Sequence, residues 1–534
     1  MPSRIRCIFL LSAVIATALL PAGPAGAEPA AVRISIGSEP GTLDPDKIDG
    51  GPAFRIAYDL FEGLTTYSAT DGVIPGAATS WETSADGLIW TFHLRPDAVW
   101  SDGTPLTADD FVYSFRRVLD PATASSYASS LFPILNAGDI SARREKDLTK
   151  LGVTALDPHT LRITLVQATP WFLALLTIPT CMPVPRQAIE KWGDQWNQPE
   201  HMVTNGAFTL KRWVPLGELD LVTNPHFHDA DDVGIREVDY MVADDGKAAV
   251  RRYEAGELDI TDIPGQDLTR FRRERPTELR SNPRLGLASL VVNMDGPLGR
   301  DPRIIQALSM AIDRDVLEGR ILRNDQIPAY GAVPAGIPGY RAARPAWADW
   351  TMADRIAAAR KLLVEAGAPT PLKLQLLLPG GDRYGLKLRA IIDMWHSALG
   401  VETQEESVEL RVVLDRLIHR DFEIAYGEWT ADYPDAWSFL AGYRIDGAEQ
   451  NVADYKNPTY DALLDRSRGV ADPAQRLALL HSAEQMMLDD QIMIPIDYAV
   501  GELLVSPRLH GYESAPLAVH PARFLSLATE AAPG

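Results

Sequence analysis

Apolar and polar positions alternate with a period of two at Val32-Arg33-Ile34-Ser35-Ile36, which predicts a strand, and the pattern breaks at Pro40-Gly41. A second strand is expected over 88–94 (LIWTFHL), closed by the turn Ser101-Asp102-Gly103-Thr104-Pro105. Thr107, with Asp110 three residues on, reads as a capping box ahead of a helix that repeats Phe111, Phe115 and Val118. Leu161 to Leu165 alternates again. This first third mixes strands and helices without regular alternation, so α+β modules are expected there. Further on, Asp301-Pro302 starts a helix through Ile305, Leu308 and Ile312, and a second helix over 354–366 ends at Gly367. A strand over 373–378 and a helix over 383–399, stopped at Gly400, follow. Asp472-Pro473 opens a last helix carrying Leu477, Leu480, Ala483 and Met487, before an apolar strand over 492–500. Strand and helix alternation over 287–500 reads as a separate α/β domain.

Length bounds the organisation: 534 residues, at about 150 per domain, suggest three or four domains joined by short linkers. With 46% hydrophobic and 23% charged residues, the chain has the balance of an ordinary globular protein. The formal charge of -21 disfavours a nucleic-acid partner. Arg4 and Arg6, the apolar run from Cys7 to Leu20 and the small residues ending Ala25-Gly26-Ala27 read as a signal peptide over 1–27. The run is shorter than the roughly 18 to 20 residues of a spanning helix. No cysteine follows for lipid attachment, so a periplasmic or secreted protein is expected, with a mature charge of -23 once Arg4 and Arg6 are removed. Cys181 is then alone and reads as core.

Catalytic signatures are missing: there is no G-x-S-x-G, H-E-x-x-H or Walker loop, and no cofactor motif. His226 and His228 could seat a metal if a third ligand came near, but read more simply as a hydrogen-bonded pair in a loop. Asp229-Ala230-Asp231-Asp232 lacks the glycine and distal glutamate of a calcium loop and reads as a surface turn. Two stretches stand out. Trp429, Tyr433 and Trp437 surround Asp432, either as a cage for a cationic group or as core aromatics with Asp432 capping the turn at Pro434. The second, residues 44–52 (DPDKIDGGP), is a rigid acidic loop whose adjacent glycines permit close backbone approach.

At these residues the chain resembles the oligopeptide-binding proteins of bacterial ABC importers, a large extracytoplasmic family that also includes dipeptide, murein-peptide and nickel binders. The likeness covers nearly the whole mature chain: EPGTLDP at 39–45 with KIDGG behind it, DLFEGL at 59–64, WTFHLRPDAVWSDGTPLTADDFVYSFRRVLDP at 90–121, TASSYAS at 123–129, VTNGAFTLKRW at 203–213, GELDIT at 256–261 and WTADYPD at 429–435. The resemblance implies a mixed α/β, two-lobed periplasmic-binding-protein-like fold with three domains and a hinge. Domain I would comprise 28–61, 186–286 and 503–534, domain II the insertion 62–185, and domain III 287–502. It also implies a monomer that needs no cofactor, holds short peptides, and hands them to the permease and ATPase subunits of an importer. Asp432 would pair with the peptide's α-ammonium group. The backbone of Trp429, Thr430 and Ala431 and of Asp49, Gly50 and Gly51 would bond the peptide main chain as an added strand. Tyr127 would touch the ligand from domain II.

The sequence also departs from the family pattern. Thr430 and Gly286 stand where a bridged cysteine pair is often found, and Asp49 replaces the usual glutamate. Tyr426 and Tyr384 stand where the family implies Arg and His facing a peptide's terminal carboxylate, leaving Arg416, His419, Arg420 or Arg383 as candidate substitutes. Those changes keep a murein peptide, a peptide-like antibiotic or a metal chelate open as ligand. A secreted peptide hydrolase would need a nucleophile with its base, or a metal site, and neither is read here.

Overall fold

A computed structural model describes residues 31–48, 50–70, 72–447, 450–470 and 472–528. The leader over 1–27 and Asp49 lie outside them. Strand β1 (Val32–Ile36) buries Val32, Ile34 and Ile36, and the loop behind it enters helix α1 (Gly51–Leu60), where Pro52 pre-sets the first turn. An excursion follows, in which β2 (Ala78–Thr83), β3 (Ile89–Leu94), β4 (Val153–Asp157) and β5 (Thr160–Thr164) pair antiparallel in the order β2-β3-β5-β4. Helix α2 (Ala108–Leu119) shares its core, placing Phe111, Phe115 and Val118 with Phe92, Leu161 and Ile163. Its start is as expected: the Thr107 N–H donates to the Asp110 carboxylate at 2.7 Å.

The chain returns beside β1 as β6 (Phe208–Val214), β7 (Glu218–Thr223), β8 (Glu237–Val242) and β9 (Ile260–Asp262). Strand β10 (Leu279–Val292) then carries it into the second lobe. There α3 (Pro302–Met310), α4 (Met352–Glu365), β11 (Lys373–Pro379), α5 (Asp382–Leu399), β12 (Glu402–Val408), α6 (Leu410–His419) and β13 (Ile424–Thr430) succeed one another. Helices α7 (Pro458–Arg468) and α8 (Pro473–Asp489) lead to β14 (Met493–Val505). Leu290, Leu376, Ile391, Trp395 and Ile424 centre this lobe's core. Among the described residues one eleven-stranded sheet runs β12-β11-β13-β10-β14-β9-β1-β8-β7-β6, with the short strand Ile327–Pro328 added on β14.

Strands β10 and β14 belong to both lobes. Leu279–Pro283 pairs with Val500–Leu504 next to β9, whereas Leu287–Val291 pairs with Met493–Tyr498 next to β13. Between Pro283 and Leu287 the register shifts, which bends the ladder where it passes from one lobe to the other. This crossing explains why β14 runs to Val505 and not to the expected end at 500: Gly501 and Glu502 interrupt the apolar pattern, yet continue the same ladder. Helix α3 ends at Met310, short of Ile312, because Asp313 caps the next turn by accepting from Val316 N–H at 3.1 Å.

Candidate functional site

Strand β13 is paired along its length on one side only. With β10 its register runs from Gly286↔Thr430 to Val292↔Ile424, but with β11 it covers only Leu376↔Ile424 and Leu377↔Ala425. From Gly427 to Thr430, the second edge faces no paired strand among the described residues. The Ala431 N–H donates to Leu285 O at 2.8 Å, so antiparallel alternation turns the backbone groups of Thr430 toward that second edge. Trp429 remains 39% exposed. Thr430 and Gly286, the two positions read as lacking a bridge, are direct cross-strand partners.

The next residue is Asp432. Its backbone N–H donates to Ser438 Oγ at 3.2 Å, while its carboxylate meets no hydrogen-bonding or ionic partner among the described residues. Burial pushes this carboxyl up to about 6. Asp435, not Asp432, caps the turn: it accepts from Trp437 N–H at 2.8 Å and takes both ends of the buried Arg476 guanidinium at 2.8 and 2.9 Å. Tyr433 and Trp437 are buried as core aromatics. They stack on Trp171, whose ring centroid lies 6.3 Å from Tyr433 and 4.5 Å from Trp437. Of the two readings of this stretch, Tyr433 and Trp437 thus follow the core one while Trp429 stays exposed, and Asp432 has no matching charge among the described residues.

The other candidate segments lie in the first lobe. Gly50 and Gly51 have φ of 111° and 56°, in the left-handed region that glycine tolerates. A Cβ on Gly50 would lie 3.8 Å from the Tyr127 hydroxyl, and the Tyr127 ring sits 5.2 Å from Phe54, so these three site candidates do come together. The acids of the same loop turn inward. Arg117 of α2 donates to Asp44 at 2.9 and 2.6 Å and to Asp46 at 2.5 Å, and burial with the neighbouring Asp44 pushes Asp46 up to about 8.

Tyr426 and Tyr384 are also neighbours, with rings 5.4 Å apart. Tyr426 is buried and donates its hydroxyl to Glu428 at 2.7 Å. The basic residues considered as substitutes are engaged elsewhere: Arg416 bonds Glu406 and Asp421, His419 lies against Asp415, and Arg420 bonds Asn451 O. Arg416 and Arg420 line, with Lys373, Gln375 and Glu423, a cavity of about 820 Å³ at the opposite end of β13 from Thr430. The Arg383 side chain lies outside the described residues. Lys387, one turn after Tyr384, was not singled out by sequence reasoning, and neither were its partner Asp497 at 2.6 Å, nearby Glu318, or Trp171. A lysine on the apolar face of α5 was the available signal; Trp171 offered none.

His228 is held between Glu62 at 2.9 Å and Asp229 at 3.0 Å, the hydrogen-bonded reading of that pair. No group of three potential ligands among the described residues is placed to hold a metal, and Cys181 is buried and free. No helix among them is long and apolar enough to cross a membrane.

Two lobes joined by crossing strands, with an open strand edge and an unmatched carboxylate beside it, define a solute-binding protein. The chain belongs to the bacterial extracellular solute-binding proteins, family 5, whose middle region it matches over residues 72–451. It is 39% identical over 519 residues to the periplasmic oligopeptide-binding protein OppA of Salmonella typhimurium, covering 94% of this chain and 95% of that one. It is 36% identical over 513 residues to the probable deoxycholate-binding periplasmic protein YgiS of Escherichia coli, covering 95% of both. Among solved structures, the murein tripeptide binding protein MppA of Escherichia coli superposes with a TM-score of 0.84 at 32% identity, over 94% of this chain and 99% of that one.

Proposed function

We propose that this protein captures short peptides between its lobes and delivers them to the permease and ATPase subunits of an ABC importer. The observation that carries the reading is Asp432: a desolvated carboxylate with no counterion among the described residues, next to a strand edge that none of them pairs, suits the α-ammonium group of an extended peptide. The peptide adds to β13 at Thr430, with Trp429 and Ala431 flanking, while Gly50, Gly51 and Tyr127 close from the other lobe; Asp49, outside the described residues, stays a candidate with them. Binding through main-chain groups tolerates many sequences. Domain I is taken as 28–61, 186–286 and 503–534, domain II as 62–185, and domain III as 287–502. Both domain III boundaries fall inside β10 and β14, so the register shift after Pro283 is the natural hinge. The protein works as a periplasmic monomer, freed from its leader after Ala27, without lipid, cofactor or catalysis.

Native mass spectrometry of the protein purified from its own periplasm, followed by release and sequencing of the bound material, tests this reading. A mixture of short peptides is expected. A single bile acid, muropeptide or chelate would keep the family and overturn the general-peptide reading. Titration with paired peptides should also show that N-acetylation abolishes tight binding; equal affinities would remove Asp432 from its place at the ligand's amine.

A further inference from the structure

At the shift in register between Pro283 and Leu287, where the ladder passes from one lobe to the other, sits Arg284. Its guanidinium lies flat across β14 at Gly501, where any Cβ would collide with Nε, Cζ and Nη2, so glycine is what lets the arginine lie there. The carboxylate it meets is Asp262 at the end of β9, at 3.9 Å, outside hydrogen-bond range and itself mostly exposed. Leu285, the next residue, donates its N–H to Pro516 O at 2.8 Å, which brings the C-terminal segment over 512–520 against the same bend.

The groups gathered there are donors that the fold does not satisfy. Arg55 of α1, one turn beyond Gly51, has its guanidinium carbon 6.0 Å from the centre of the Tyr240 ring. Its Nε and Nη2 are shut off from solvent and bond to nothing among the described residues. These two nitrogens form one edge of the guanidinium, the edge that meets a carboxylate or phosphate through two parallel hydrogen bonds. The Tyr512 hydroxyl is in the same condition. His520 is buried and stacks on the Tyr512 ring at 4.3 Å. Burial, with Arg55 and Arg284 nearby, pushes it down to about 3, so its imidazole is neutral and keeps one N–H to donate. The acids of the neighbourhood are committed elsewhere. Asp59 accepts from the Tyr240 hydroxyl at 2.6 Å and from Ala522 N–H at 2.7 Å, and Glu502 accepts from Asp325 N–H at 2.9 Å. A buried guanidinium edge left unpaired costs free energy, which a bound oxyanion offsets.

We propose that Arg55, Arg284, Tyr512 and His520 form a binding site for a small oxyanion beside the hinge, with the ion seated on the open edge of Arg55. None of the four is among the residues assigned to the peptide, and the site does not rest on that reading. The ion would join α1 and the C-terminal segment to β10 at its bend, three parts of the chain that meet where the lobes do. Since the overall charge is -21, an anion gains nothing from the protein's long-range field, and its binding has to come from these donors.

The test is calorimetric titration of the mature protein, stripped of bound solute, with inorganic phosphate, sulfate and acetate at constant ionic strength in chloride buffer. Saturable one-to-one binding of at least one of them is expected, and the order among the three separates a tetrahedral ion from a carboxylate as the natural occupant. Arg55→Gln should weaken it at least about tenfold by removing the bidentate edge, and Arg284→Gln and Tyr512→Phe by about threefold each. Tyr512→Phe deletes a single hydroxyl, so it reads the site even where Arg55→Gln does not fold. Arg212→Gln, in a surface ion pair of β6, should leave the affinity unchanged. No saturable binding of any of the three tighter than about 10 mM would overturn the proposal, as would an affinity that neither Arg55→Gln nor Tyr512→Phe lowers.

Discussion

The loop over 44–48 and the turn over 432–438 are both acidic segments, one in each lobe, yet they treat their charges in opposite ways. Asp44 and Asp46 converge on Arg117, brought by α2 from the inserted four-stranded module, so that buried acid is matched within the fold. Asp435 is likewise matched by Arg476. Asp432, three residues earlier, is partly buried, less so than Asp44 and Asp46, and is matched by nothing among the described residues. Desolvating a carboxylate costs free energy unless a partner compensates. On the peptide reading proposed above, a fold that supplies the partner at 44, 46 and 435 but not, among the described residues, at 432 would leave that compensation to the ligand.

Three experiments would break or sharpen the contrast. Arg117→Met strands two buried carboxylates and should cost about 3–5 kcal/mol of stability in chemical denaturation. A loss under about 1 kcal/mol would show that the loop carries its acids without help. Asp432→Asn should do the reverse. Affinity for a free-amine peptide falls by about 2–5 kcal/mol, while the fold is as stable as before or slightly more so. The sign follows from the raised carboxyl: at neutral pH the ionised group is penalised by folding, and the amide removes that penalty. The smallest effect is in pH. The ligand's ammonium needs an ionised Asp432, so affinity should hold above about 6 and weaken by up to about tenfold per unit below it. It should weaken again above about 8 as the peptide amine loses its proton. A flat profile between pH 5 and 7 would mean that the carboxylate is not the ligand's counterion.

What was legible in the sequence was local. The alternation at Val32–Ile36, the Thr107 cap and the glycine after α5, with φ of 70° at Gly400, each depend on a few neighbouring residues. The Asp432 segment was visible through its motif, although composition could not decide between cage and core. The unread features are pairings across long stretches of chain. Arg117 meets Asp44 from 73 residues away and Lys387 meets Asp497 from 110, and no periodicity encodes either. The length of β14 was hidden for a related reason: a strand that changes lobe changes its surroundings midway, so its apolar pattern stops before its hydrogen bonds do.

The stacking of Trp171 on Trp437 gives the molecule an optical consequence. One indole belongs to the inserted module and the other to the turn behind Asp432, and their rings lie 4.5 Å apart at 22°. Two chromophores at that separation share their excited states, so the pair imposes a signed doublet on the ultraviolet circular dichroism that neither ring has alone. A hinge motion that separated the two elements would pull the indoles apart and erase the doublet, so the pair would serve as an unlabelled gauge of lobe opening in solution.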